Sequence, residues 1–104
     1  MNQEIFKQIQ TLKRQILPND VVILFGSQAR GDEREDSDWD LVVILEKPKD
    51  DTLEDFGNYA YPFTAMGWNY NVDINQTLYT REQWEQGKGF PFYKNVMREG
   101  IKIE

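Results

Sequence analysis

Val21-Val22-Ile23-Leu24-Phe25 is an unbroken apolar run of five residues, closed by Gly26. Its length and β-branching suit a strand buried on both faces. Such a strand needs cover on each side, which commits the chain to helices layered around a sheet. Residues 38–45, Asp-Trp-Asp-Leu-Val-Val-Ile-Leu, supply a second strand of similar character. With 104 residues the chain suits one small domain over 1–104.

The rest of the chain supplies the cover. Residues 3–16 place Ile5, Phe6, Ile9, Leu12 and Ile16 at helical spacing, and Pro18-Asn19-Asp20 stops that helix. Glu46 to Asp51 contains Pro48 and reads as a loop. Residues 52–66 read as one helix with Leu53, Phe56, Tyr59, Ala60 and Phe63 on its inner face, weakened by Gly57 and Pro62. Residues 69–77 alternate Tyr70, Val72 and Ile74 against Asn71, Asp73 and Asn75, the pattern of a half-buried strand. Thr80-Arg81-Glu82-Gln83 looks like a capping box opening a helix that Gly87 and Gly89 break. Phe92 to Arg98 forms a last short helix, ending at Gly100 before a tail. The order is helix, strand, loop, strand, helix, strand, helix, helix, an α/β (α+β) domain around a small sheet.

Composition narrows the chemistry. There is no cysteine and no histidine. Disulfides, zinc–thiolate sites and cysteine nucleophiles are excluded, and so is the usual general base. Catalysis must run on carboxylates, hydroxyls, lysine, arginine or a hard metal ion. Twelve basic residues face 18 acidic ones, a formal net charge of −6. That balance disfavours nucleic acid as a partner. No apolar run approaches the ~20 residues of a membrane span, and Met1 to Lys13 does not resemble a signal peptide. A cytoplasmic location is the expectation.

The informative stretch is Gly26-Ser27-Gln28-Ala29-Arg30-Gly31 followed by Ser37-Asp38-Trp39-Asp40-Leu41. Asp38 and Asp40 open a strand two residues apart, so both carboxylates leave the same face. Two like charges held close repel unless a proton or a cation compensates them. A hard, oxygen-ligated ion such as Mg²⁺ is the natural compensator. Taken alone, an Asp-x-Asp pair is more often two solvated aspartates, and a Gly-Ser pair is more often an ordinary turn. Together they are sharper. Gly26 lets a phosphate approach the backbone, a helix start favours an anion, and Ser27 offers a hydroxyl. Asp73, on the polar face of a later strand, could add a third carboxylate to a two-metal clamp and act as base on an attacking hydroxyl.

The compound motif resembles the minimal nucleotidyltransferases of the DNA polymerase beta-like superfamily. Their signature is Gly-Ser, ten residues, then Asp-x-Asp. Here Gly26-Ser27 is followed by residues 28–37 and by Asp38-Trp39-Asp40, inside the fuller local form Gly26 to Gly31 and Ser37 to Leu41. The resemblance implies a nucleotidyltransferase fold, a small mixed β-sheet flanked by helices. It implies Mg²⁺ (two ions) with ATP or another NTP as donor. Gly26 and Ser27 would lie on the phosphates, and Asp38, Asp40 and Asp73 on metal. Arg30 fits the family pattern, either on phosphate or paired with the acidic loop 32–36; Lys88 and Lys94 offer charge only. The segment 56–70 reads mainly as core or interface, with adenine stacking the lesser reading. Relatives of this size are often antitoxins of small helical HEPN-type toxins, and some transfer AMP to a toxin tyrosine. The competing readings are a stoichiometric binding antitoxin and an enzyme for a free small molecule such as an aminoglycoside, with a homo-oligomer supplying the missing acceptor site.

Overall fold

The computed structural model describes residues 1–46 and 52–104. The first helix, α1 (Gln3–Ile16), starts where Asn2 accepts the backbone N–H groups of Glu4 and Ile5 at 2.9 and 3.1 Å. An asparagine N-cap of this kind satisfies donors that the first helical turn leaves free. Ile5 and Ile9 are buried, and Phe6, Leu12 and Ile16 pack partly against the same core. The chain then enters β1 (Val21–Phe25), a short helix α2 (Ser27–Arg30) and β2 (Trp39–Leu45). Two helices follow, α3 (Thr52–Tyr59) and α4 (Tyr61–Trp68), and then β3 (Ile74–Thr80). The last elements are α5 (Arg81–Gln86), α6 (Pro91–Glu99) and β4 (Ile101–Ile103).

The four strands form one mixed sheet in the order β3-β2-β1-β4. β1 runs antiparallel to β2 and to β4, while β2 and β3 are parallel. A parallel pair needs a crossover, and α3 and α4 lie within it. One sheet face buries Val22, Leu24, Trp39, Leu41, Val43, Leu45, Ile74 and Ile103 against α1 and Phe63 of α4. The other face buries Ile23, Val42 and Ile44 against Trp84 of α5 and Val96 of α6. Both central strands are therefore covered on each side, as their apolar runs require. This is the small mixed sheet flanked by helices expected from the sequence.

Several expectations change in detail. The single helix over 52–66 is two helices, because Ala60 breaks the run and Pro62 sits in the first turn of α4, where a missing N–H costs nothing. Residues 47–51 of the loop, and the side chain of Leu53, lie outside the described residues. The strand over 69–77 starts later, at Ile74. Tyr70 and Val72 reach the core from a turn instead, in which their N–H groups donate to the Gly67 carbonyl and Asn71 adopts φ 58°. Asparagine tolerates that left-handed conformation better than most residues. The capping box is present: Thr80 Oγ1 accepts from Gln83 N–H, and Gln83 Oε1 accepts from Thr80 N–H. The tail after Gly100 is a fourth strand, too short to register as alternation. Among the described residues no helix is long and apolar enough to cross a membrane.

Ile103 is 1% exposed, whereas Lys102 on the same strand is exposed. Ile103→Ala should cost about 2–5 kcal/mol by leaving a cavity. Lys102→Ala should stay within about 0.5 kcal/mol of the parent. Urea unfolding of both variants checks whether the last strand is part of the folded sheet.

Candidate active site

The register of the sheet assembles the site. Phe25 pairs with Asp40 across β1 and β2, and Asp40 pairs with Asn75 across β2 and β3. Trp39 donates its N–H to the Asp73 carbonyl at 2.9 Å, which puts Asp73 beside Asp38 just before β3 begins. Because Trp39 and Ile74 are buried on the α1 side, alternation sends Asp38, Asp40, Asp73 and Asn75 to the opposite face. All lie at one end of the sheet, where β1 leaves through Gly26.

Gly26 has φ 77°, a conformation that glycine adopts without strain. A Cβ at this position would stand 2.8 Å from Asp40 Oδ2. The glycine thus lets the turn close directly onto the carboxylate. Ser27 opens α2, and Gly31 ends it with φ 83° and an N–H donated to the Ser27 carbonyl. The first N–H groups of a helix have no intrahelical acceptor, and in α2 these belong to Ser27 and Gln28. Gln28 is buried, its side-chain amide donating to the Ser37 carbonyl at 3.2 Å and tying α2 to the residue before Asp38.

Asn75 is the residue that the sequence reading missed. Its Nδ2 donates to Asp38 Oδ2 at 3.1 Å and to Asp40 Oδ1 at 3.4 Å, the longer bond being the weaker. The signal for it was present, since Asn75 shares strand parity with Asp73, but only the parallel register reveals which residues it faces. Two carboxylate oxygens that share one small donor can share a hard cation, so the donor set fits Mg²⁺. Among the described residues no group of three or more acidic, histidine or cysteine side chains forms a ligand set. The structure thus brings Asp38 and Asp40 together with Asn75, and sets Asp73 in the adjoining row without joining its carboxylate to theirs.

The basic candidates are placed differently. Arg30 pairs with Asp32 at 3.2 Å and with Glu99 at 3.5 Å. The hydrogen bond and charge of Asp32, with a smaller contribution from Glu99, raise its pKa above the ordinary arginine value. Lys88 pairs with Glu85 at the end of α5, and Lys94 lies on α6. The cleft that borders Gly26 is lined by Arg30 but by neither lysine.

Comparison with known proteins shows the family. The family described as a nucleotidyltransferase domain matches residues 4–101. A Methanocaldococcus jannaschii protein, named as a protein adenylyltransferase, is 33% identical over 76% of this chain and 72% of its own length. The MntA protein of Haemophilus influenzae, named likewise, is 30% identical over 75% of this chain and 67% of its own. Among solved structures, a chain of a toxin–antitoxin with AMP-PNP superposes with a TM-score of 0.62 at 18% identity, covering 100% of this chain and 73% of that one. A Sulfolobus solfataricus structure described as a nucleotidyltransferase gives 0.54 at 17% identity, covering 95% and 82%. At such identities the two structures speak to the fold alone.

The paired carboxylates predict opposite effects from neighbouring substitutions. Without metal, Asp38→Asn or Asp40→Asn removes one of two repelling charges and should be neutral or mildly stabilising. Asn75→Ala removes the donor between them and should cost about 1 kcal/mol. Urea melts in EDTA read both effects. A clear loss of stability in both aspartate variants would mean that the two charges do not oppose each other.

Proposed function

Because this chain belongs to the nucleotidyltransferase domain family, we propose that it moves AMP from Mg-ATP onto a hydroxyl of a partner protein, a tyrosine of a helical HEPN-type toxin. The observation that carries this reading is the close approach of the Gly26 turn to Asp40, where an added Cβ would stand 2.8 Å from Oδ2, so a turn suited to a phosphate adjoins a carboxylate suited to a cation. Two relatives named as protein adenylyltransferases support AMP and a protein acceptor. The similar fold within a toxin–antitoxin bound to AMP-PNP supports the kind of partner.

In this reading the Gly26 turn admits the triphosphate, with backbone N–H groups and the Ser27 hydroxyl directed at its oxygens. Asp38 and Asp40 would hold its magnesium, with Asn75, which donates to both carboxylates, keeping the pair in place. Magnesium held there would supply charge neutralisation on the triphosphate and acidity for the attacking hydroxyl. The acceptor oxygen bonds to the α-phosphorus, the bond from that phosphorus to the α–β bridging oxygen breaks, and pyrophosphate leaves with the electron pair. The hydroxyl proton passes to the Asp73 carboxylate. Positioning and charge carry such a reaction, so a chain without histidine can perform it. The partner docks on the aromatics of α3 and α4. Phe56, Tyr61 and Trp68 are 46, 48 and 56% exposed, and Trp68 leads through a short turn to Asp73. Aromatic side chains are favoured anchors at interfaces.

Binding to the folded state raises the melting temperature by mass action. Mg-ATP should therefore stabilise the protein and ATP with EDTA should not, because an uncompensated triphosphate meets like charge. Equal shifts in a thermal melt would place the nucleotide away from Asp38 and Asp40. The acceptor is tested by co-expression with a helical HEPN-type toxin as candidate partner and intact-mass analysis. Wild type should add AMP to the partner. Asp73→Asn should cut that transfer severely while Mg-ATP still stabilises the protein. A partner that is never modified, yet is neutralised equally by both forms, would make the chain a stoichiometric binder.

A further inference from the structure

A cleft of about 210 Å³ opens beside the phosphate turn, between Gly26 and Phe25 on one side and Phe92, Asn95 and Glu99 of α6 on the other. Phe25 is the register partner of Asp40, so this cleft begins one strand away from the carboxylate pair. Its wall is an aromatic platform. The Phe92 ring stands edge-on to Phe25 with centroids 5.4 Å apart and an interplanar angle of 89°. It also meets Trp84 edge-on at 6.3 Å and Tyr79 at 6.5 Å, yet 39% of Phe92 remains exposed. A ring buttressed by its neighbours and open to solvent is suited to stack a flat, apolar ligand.

Asn95 lies one helical turn beyond Phe92, exposed, with its Oδ1 accepting from Arg98 at 3.0 Å. That oxygen keeps a second lone pair, and the amide nitrogen keeps its donors. A side-chain amide of this kind matches the N6 donor and N7 acceptor of adenine, whereas guanine presents two acceptors along the same edge. We propose that the cleft between the Gly26 turn and α6 receives the nucleobase, with Phe92 as its stacking surface and Asn95 as the reader that favours adenine. The inference rests on the reading that a nucleoside triphosphate lies at Gly26, Asp38 and Asp40. Continuity selects the occupant, because Gly26 borders the cleft and Phe25 continues the row of Asp40.

Calorimetric titration with Mg-ATP, Mg-GTP and magnesium tripolyphosphate separates the base from the phosphates. Phe92→Ala should weaken Mg-ATP about tenfold, the scale of one base–aromatic stack. It should leave tripolyphosphate binding unchanged. Asn95→Ala, a surface change on α6, should narrow the preference for ATP over GTP without altering tripolyphosphate. If wild type binds ATP and tripolyphosphate but both variants bind ATP as it does, the base lies elsewhere and the nucleotide reading stands. Equal losses for ATP and tripolyphosphate in Phe92→Ala would make that ring structural and overturn the subsite. If wild type binds neither ligand, the nucleotide reading fails and the subsite with it.

Discussion

The parallel pairing of β2 with β3 is the constraint on which the site depends. It begins at the Trp39 N–H bond to the Asp73 carbonyl and runs through Leu45 and Thr80. A slip of one residue would turn every side chain of one strand to the wrong face. Trp39, 1% exposed, prevents the slip, because moving it outward would drive Asp38 and Asp40 into the apolar core. Burial of one large ring thus orients four polar side chains on the opposite face of the sheet.

A neutral amide between two carboxylates has a particular electrostatic meaning. Among the described residues, ion pairs tie Arg30 to Asp32, Arg81 to Glu46 and Lys88 to Glu85, but none engages Asp38 or Asp40. The exposed pairs add little stability. At the carboxylate pair an arginine would cancel the charge that a cation needs, whereas Asn75 holds the oxygens in place and leaves that charge intact. The acidity of the chain is thus partly neutralised over the surface and retained at the sheet end.

Much of this was legible in the sequence because strong local signals coincided. The five-residue run before Gly26, the Asp-x-Asp opening of the next strand and the Thr80 cap each appear where the residues placed them. What escaped was non-local. Asn75 becomes a site residue only through pairing with a strand more than thirty positions away. β4 is three residues long and owes its existence to β1. The late start of β3 reflects a turn at Asn71 that alternation alone does not reveal. Phe92, read as an ordinary helical residue, acquires meaning from Phe25 on the far side of the chain.

The absence of a Cβ at Gly26 also bears on how such a site can decay. Since that atom would stand against Asp40 Oδ2, the two positions are energetically coupled, and changes at them should not add. While the carboxylate remains, a side chain at 26 meets both a steric barrier and a backbone that resists positive φ. Once the carboxylate is lost, the steric barrier goes, and only the conformational cost is left. On the proposed reading, lineages that drift from catalysis toward simple occlusion should therefore lose Asp40 before Gly26, so an ancestral reconstruction could date the loss of chemistry from the order of two substitutions.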